Sequence, residues 1–572
     1  MEQTYLLGID AGGTHTDAVL VKLGDQGASI EAWAKAKTDH SDLPKSMREV
    51  LTNLKEERPD LDLSQVKDIS LGTTLAVNAL VQGKTDPVGL LLSAGSGLSA
   101  ERFVIGENYA IVEGGVDHRG VEVKKLNCQK LDSIFAQWQK KGVRATACVG
   151  KFSPRATEHE TTLGQLCQDA GFAVTLGHRL SGELNFPRRI ATAYYNAAVK
   201  RIQNNFLDAV EKTLASFEIK GQVRLLKADG GAIPLELARK EPVQSILSGP
   251  AASVLGILAL NDDVKKGVSL LLDIGGTTTD IALIIDGSPV LDRDGMLLNS
   301  RRTLVRALAS VSIGVGGDSQ VFVDDLDHVT VGPTRVGPAM AFGGETPTLL
   351  DCLNVLEVAG TPSGDQLKSK QGVENLAQSK NMGAQELAKL ALDNALIKID
   401  QACTELLAEI NSRPIYTLAQ LRRQTKVTPM RIILVGGPAH CLKDALSQKL
   451  ALPVIIPSQF AVANAVGACL TRPTESLEVY ADTGTGQLQA PKLDLTEKIS
   501  PKTTQKMVEQ RALELLQNYM AQESQLECQC EVLESNLFAT LNDYGHSSKD
   551  IRVTCQAIPG IVARVECGNS SL

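Results

Sequence analysis

One eight-residue pattern, Asp-x-Gly-Gly-Thr-x-Thr-Asp, occurs twice in this chain, at residues 10–17 and 273–280, a separation of 263 residues with six of the eight positions identical. Each copy lies between two apolar runs, 5–9 and 18–21 for the first, 269–272 and 281–285 for the second. An apolar run, a glycine turn and a second apolar run predict a β-hairpin. A recurrence this widely spaced is no solenoid period and predicts two related domains in one chain.

The length of 572 residues exceeds what one hydrophobic core supports and corresponds to about three or four domains' worth of material. With 43% apolar and 22% charged residues the composition is that of a folded protein. A net charge of −8 leaves no basic field for a nucleic acid or an anionic membrane, so any anion is bound locally. No window holds the roughly 18 apolar residues of a membrane span, and the opening residues lack a signal-peptide pattern, so the expected location is cytoplasmic. Eleven cysteines without a CxxC pair, the nearest two being Cys528 and Cys530, read as mostly buried thiols. The eight histidines form no HxH or HxxxH pair, which argues against a local zinc site.

Between the hairpins, strand-like runs at 68–71, 88–92, 143–149 and 223–226 alternate with helical patterns at 43–55, 157–168 and 188–217, an α/β layout. After the second hairpin come a Gly/Pro-punctuated stretch at 314–364, a helical block at 381–411, and a strand at 431–435 that turns at Gly436-Gly437-Pro438 into a helix. A last β-α pair is expected at 454–456 and 460–470. Beyond Pro473 the chain becomes polar and acidic, with a helix at 505–522 in a small appended domain to which no chemistry is assigned.

The repeated turn holds what a polyphosphate site needs: glycines that let backbone N–H groups approach, hydroxyl donors, and carboxylates that order magnesium through water. It does so without a Walker A lysine or a G-x-G-x-x-G fingerprint. Gly12, Gly13, Gly275 and Gly276 are expected to supply backbone approach, and Thr14, Thr16, Thr277 and Thr278 hydroxyls. Asp10 and Asp273, at strand ends, are the candidate catalytic groups and the candidate Mg²⁺ ligands. Asp17 and Asp280 read equally well as turn-bracing side chains. Gly436 and Gly437 offer a flat surface for adenine, ribose or an α-phosphate, or form an ordinary strand-to-helix turn. Residues 248–252 (Ser-Gly-Pro-Ala-Ala) serve close interdomain packing or a nucleotide wall, and Gly316 with Gly317 in the turn at 312–318 is a further phosphate contact.

Taken in order, the Asp10 turn, Gly72-Thr73-Thr74 with Asn78, the Ser248 segment, the Asp273 turn and Gly436-Gly437-Pro438 resemble the hydantoinase/oxoprolinase family, specifically its hydantoinase A type subunit, over roughly residues 4–470. That family lies in the actin, sugar-kinase and heat-shock-70 nucleotide-binding superfamily. The resemblance implies an α/β fold of two duplicated ribonuclease-H-like (actin-like ATPase) domains, 1–185 and 186–472, around a nucleotide cleft, followed by a small α+β domain at 473–572. It implies ATP and Mg²⁺, with adenosine near Gly436 and Gly437, phosphates between the two hairpins, and Thr73, Thr74 and Asn78 on the substrate side. The implied reaction is ATP-dependent opening of a small cyclic amide or imide, of the hydantoin or 5-oxoproline type, through phosphorylation of the carbonyl oxygen. Two alternatives are a small-molecule kinase or carboxylase-type subunit and a nucleotide-binding regulatory or assembly subunit. The implied partners are a small-molecule substrate and either a hydantoinase B type subunit or further copies of this chain. The chain departs from the family pattern in having Leu71 where a histidine is usual, Gly114-Gly115 in place of Glu-Arg, Asp318 in place of a glycine, and His15 in place of a phenylalanine.

Overall fold

The computed structural model describes residues 4–25, 27–39, 42–60, 62–93, 95, 97–292, 294–362, 364–412, 426–524, 528–541 and 547–566. Its first sheet has six strands in the order Ala232–Pro234, Gln222–Leu226, Val66–Thr73, Thr4–Ala11, His15–Leu23, Ala28–Lys37. Thr4–Ala11 pairs antiparallel with His15–Leu23, placing Asp10 opposite Asp17, and parallel with Val66–Thr73. The second sheet repeats this plan. Val268–Ile274 pairs antiparallel with Thr279–Ile285, placing Asp273 opposite Asp280, and parallel with Arg431–Val435. Both acidic motifs are therefore hairpin turns beside the central strand of a mixed sheet, and the two halves of the chain share one topology. The last two strands of the first sheet come from beyond residue 185, so this sheet closes only after the long excursion from 74 to 221.

That excursion carries its own sheet, ordered Glu122–Asn127, Tyr109–Val116, Val88–Ser93, Ala145–Gly150, Ala173–Leu176. Val88–Ser93 and Ala145–Gly150 are buried at every position and pair parallel, the continuous apolar pattern of strands covered on both faces. Helix Phe186–Ser216 leads the chain back; Asn185 caps it by accepting from the Arg188 amide, and Pro187 occupies its first turn. Residues 476–557 form a five-stranded antiparallel sheet backed by helix Gln505–Ser524, with a core that includes Leu477, Val479, Val508, Leu516, Ile551 and Val553. This unit docks on the inserted sheet through buried polar contacts. Arg155 meets Asp550 at 2.7 Å, the Tyr480 hydroxyl donates to the Gly182 carbonyl at 2.6 Å, and His178 lies between Glu160 (2.7 Å) and Asp494 (3.1 Å). The chain then returns to the first lobe, where the Ala28 amide donates to the Arg564 carbonyl at 2.7 Å.

Strand periodicity decides where the acidic turns point. Along Thr4–Ala11, Leu7 and Ile9 enter a core with helix Leu43–Glu57, whereas Leu6 and Gly8 face helix Ala463–Leu470. Asp10 shares the parity of Leu6 and Gly8 and faces the same way. Along Val268–Ile274, Leu270 and Leu272 enter one core, and Leu271 packs with Val254, Leu255 and Leu258 of helix Ser248–Leu260, so Asp273 faces that helix. The two helices cross at glycines. A Cβ on Gly256 would overlap the Ala463 carbonyl oxygen, one on Gly467 the Ala252 carbonyl oxygen, and one on Gly8 the Ala465 carbonyl oxygen. Of the small residues at 248–252, Ala252 thus lies at the close contact between the two helices.

Candidate functional site at the two acidic hairpins

The helix crossing carries Ser253 and Asn464 to the two strand ends. Ser253 Oγ stands 2.5 Å from Asp273 Oδ2 and 2.9 Å from Asn464 Oδ1, and Asn464 hydrogen-bonds to both Asp10 and Asp273. One neutral amide therefore joins the carboxylates of the two hairpins. The hairpins converge, as the duplicated motif requires if they are to act together.

The site is rich in carboxylates and poor in cations. Burial, then the charges of Asp17 and Asp273, push the Asp10 carboxyl up to about 7, against the lowering effect of Asn464 and Lys35. Burial raises Asp273 as well, opposed by its bonds to Ser253 and Asn464. Asp280 is pushed up to about 6 by burial and by Asp273, with Ser312 as its hydrogen-bond partner. Asp17 is raised by burial but held by Lys35 at 2.7 Å; the Lys35 ammonium also donates to the Ala461 carbonyl. Carboxyls raised in this way are short of positive charge, which a hard cation supplies. Among the described residues no three His, Cys, Asp or Glu side chains are grouped as metal ligands. Two carboxylates with neutral oxygen donors fit a metal that keeps its waters and shares phosphate oxygens, the habit of Mg²⁺, better than a protein cage of the zinc or calcium kind.

The glycines divide into two kinds. Gly72 makes room for the Asp10 carboxylate, which a Cβ there would strike, and Gly436, at φ +99°, presses on the Ile274 carbonyl. Gly316 packs on Gly275 and Gly276, and Gly317 on Pro438. The Gly316 and Gly317 amides are committed, the first to Ser319 Oγ at 2.8 Å and the second to the Gly275 carbonyl at 3.0 Å, so this turn buttresses the second hairpin instead of presenting both amides to a ligand. Gly12 and Gly275 donate across their own turns to the His15 and Thr278 carbonyls. By contrast, a Cβ on Gly13, Gly249 or Gly437 would meet nothing within 4 Å, and none of the three has a positive φ. Neither packing nor backbone conformation asks for glycine there.

The threonines divide likewise. Thr14, Thr277 and Thr278 are partly or fully exposed at the tips. Thr16, expected as a ligand donor, is 1% exposed and its hydroxyl pairs with Thr38 at 3.0 Å. Its counterpart Thr279 is buried and donates to the Val315 carbonyl at 2.6 Å. Period-2 alternation turns the side chains after Thr14 and Thr277 alternately outward and inward, which is why Thr16 is lost to the interior. Thr73, Thr74 and Asn78 bind the first hairpin to helix Leu75–Val81: Thr73 Oγ1 accepts from the Leu75 amide, the Thr74 hydroxyl donates to the Ala11 carbonyl, and Asn78 donates to Thr74. Leu71 is a core residue at 2% exposure. A Cβ on Gly115 would come within 2.8 Å of Gly95 Cα, so that pair of glycines allows a backbone approach that side chains would block. Ser253, Asn464 and Lys35 carry no local signal in the sequence; they join the site through tertiary contact.

The hydantoinase/oxoprolinase description matches residues 189–476, and the hydantoinase/oxoprolinase N-terminal region matches residues 6–171. The chain belongs to the hydantoinase/oxoprolinase family. Its relatives in the family include the caprolactamase alpha subunit of Pseudomonas jessenii, 25% identical over 61% of this chain and 54% of that protein. They also include the 5-oxoprolinase of Saccharomyces cerevisiae, 23% identical over 49% of this chain and 26% of that protein, and the acetophenone carboxylase gamma subunit of Aromatoleum aromaticum, 23% identical over 61% and 52%. The chain spans about half the length, or less, of these relatives. Among solved structures, ATP-dependent caprolactamase from Pseudomonas jessenii superposes with a TM-score of 0.70 at 18% identity, covering 98% of this chain and 88% of that one. Nucleotide-free acetone carboxylase superposes with a TM-score of 0.66 at 17% identity and the same coverage. These matches establish the fold, two duplicated ribonuclease-H-like lobes of the actin-like ATPase type. Among the described residues no helix is long and apolar enough to cross a membrane.

Proposed function

We propose that this chain is an ATP-dependent enzyme that opens a small cyclic amide or imide, of the hydantoin or 5-oxoproline type, by phosphorylating its carbonyl oxygen. The observation that carries the reading is the shared hydrogen-bonding of Asp10 and Asp273 to Asn464, which brings the two hairpin turns to one place. An unstrained lactam carbonyl resists water; with its oxygen phosphorylated the carbon is electrophilic, water adds there, the ring C–N bond breaks with the nitrogen leaving as the amine, and a second water displaces phosphate from the resulting acyl phosphate. Asp10 and Asp273 would hold Mg²⁺ through water, and the metal, when bound, supplies charge neutralisation for the transferred phosphoryl group. Asp10 and Asp273 would also polarise the attacking group through the waters they order. Gly13 and Gly437, whose α-carbons face open space, give phosphate and adenosine access to the main chain, and Thr14, Thr277 and Thr278 donate hydroxyls. The domain division at 185 and 472, with strands Gln222–Leu226 and Ala232–Pro234 completing the first lobe's sheet from beyond 185, a cytoplasmic location and association with a hydantoinase B type subunit or further copies of this chain belong to the same proposal; that relatives are named as subunits supports a partner.

The similarity to the acetophenone carboxylase gamma subunit supports a second reading, in which the same cleft activates a substrate for carboxylation. Incubation of the pure protein with Mg²⁺ and ATP against a panel of lactams, hydantoins and ketones with bicarbonate separates the two. Ring-opened product with ADP and phosphate is the expected result. ADP release that depends on ketone and bicarbonate would replace the first reading with the second, and nucleotide binding with no substrate-dependent turnover would leave a regulatory subunit.

A further inference from the structure

An ion pair between Arg335 and Asp318 lies beside the second hairpin. Asp318 follows the Gly316-Gly317 turn, and its two oxygens are both engaged: Oδ2 accepts from Arg335 Nη2 at 2.8 Å and Oδ1 from the Ala339 amide at 3.2 Å. The Asp318 amide donates to the Gly276 carbonyl at 2.6 Å, and a Cβ on Gly276 would stand 2.7 Å from Asp318 Oδ2. The pair therefore lies directly against the tip of the second hairpin. The Arg335 side chain is 29% exposed, and its Nε is buried with no hydrogen-bond partner.

The same guanidinium acts on the other lobe. Burial, then Lys35, lower the His15 imidazole below its ordinary value, and Lys37 and Arg335 add to the effect against the opposing pull of Asp17. His15 is at the tip of the first hairpin, so the charge of Arg335 is felt at both tips. Lys35 is committed to Asp17 and the Ala461 carbonyl. Arg335 uses one nitrogen on Asp318, leaving donors of a planar fork whose orientation a doubly anchored carboxylate fixes.

We propose that Arg335 is a further phosphate-binding residue of the interlobe site, donating to non-bridging oxygens of a nucleoside triphosphate, with Asp318 as its positioning residue. The proposal deepens the ATP reading and rests on it. It also accounts for a carboxylate beside a polyphosphate site: Asp318 comes with its own cation.

Calorimetric titration of the full chain, with Mg²⁺ present, by adenosine, ADP and a non-hydrolysable ATP analogue tests it, in the wild type and in Arg335→Gln, Arg335→Lys and Asp318→Asn. Loss of a charge-assisted hydrogen bond predicts that Arg335→Gln weakens the triphosphate analogue by about 10- to 100-fold. Adenosine should change by less than about twofold, Arg335→Lys should recover part of the loss, and Asp318→Asn should fall between wild type and Arg335→Gln. Wild-type affinity for the analogue in Arg335→Gln overturns the proposal and leaves the nucleotide reading standing. Equal weakening of adenosine and analogue, with a lowered melting temperature of the free protein, overturns it in favour of a purely structural ion pair. A wild-type protein that binds none of the three ligands removes the nucleotide reading and the proposal together.

Discussion

Gly467→Ala is the substitution by which the helix crossing can be weighed. In an isolated helix the change is favourable by about 0.8–1.0 kcal/mol, because alanine is the better helix former. Here the new methyl carbon would stand 2.5 Å from the Gly256 nitrogen and overlap the Ala252 carbonyl oxygen, both main-chain atoms of the facing helix. Neither can rotate away, so the helices must separate until contacts reach an ordinary distance of about 3.4 Å. Overpacking of this kind costs about 1–3 kcal/mol and at a backbone contact falls at the upper end, so propensity offsets only part of it. The net loss of about 1–2 kcal/mol should appear as a melting temperature lowered by roughly 2–8 °C for a domain of this size. Separation also withdraws Asn464, one helical turn before Gly467, and Ser253, one turn before Gly256, from the carboxylates they join. Nucleotide affinity should therefore fall beyond what stability explains, read by titration well below the melting temperature. A melting temperature equal to or above that of the wild type would refute the crossing, and a destabilised protein with unchanged nucleotide affinity would refute the link between crossing and site.

Other substitutions probe the site from different sides. Gly13→Ala, with open space around the new methyl group and no positive φ, should leave stability unchanged or raise it by about 0.4–1 kcal/mol, while weakening nucleotide binding by hindering approach to the main chain; thermal denaturation and titration read the two effects separately. Asp10→Asn should stabilise the free protein above pH 7 and have no effect below about pH 4. A carboxyl raised to about 7 is protonated in the fold at low pH and costs stability progressively as pH climbs from its unfolded value through 7. Melting curves across pH 4–8 check this, and added Mg²⁺ should raise the wild-type melting temperature more than that of Asp10→Asn. His178→Gln should loosen the C-terminal unit from the inserted sheet. Burial lowers the imidazole pKa, but Glu160 and Asp494 outweigh it and raise it to about 9, so its stabilising charge is present at neutral pH and lost as pH rises through 9. A loss of about 3 kcal/mol at pH 7, shrinking as pH rises and nearly gone by pH 9, is expected from denaturation followed by a probe in that unit.

The sequence by itself determined what depends on near neighbours. Two hairpins with acidic mouths follow from apolar runs around a glycine turn, and the helices at 43–57, 158–169, 186–216 and 384–412 follow from their periodicity, because such signals act over a few residues. Duplication was legible as well, since identical turns at a fixed offset need no structure to be counted. Which of the turn's own groups stay at the surface was not: Thr16 and Thr14 look alike in the motif, yet Thr14 lies in the turn itself and stays partly exposed at the tip, whereas Thr16, inside the strand that begins at His15, faces the interior. Only tertiary contact brings Asp10 and Asp273 to one Asn464, sets Lys35 on Asp17 and pairs Arg335 with Asp318 beside the second hairpin. Lys35 meets Asp17 across the register of adjacent strands, whereas the Asn464 contacts join residues far apart in the chain. They exist because Gly8, Gly256 and Gly467 let backbones approach where any side chain would hold them apart, and closeness of that kind is a property of two surfaces meeting, which no single stretch of sequence contains.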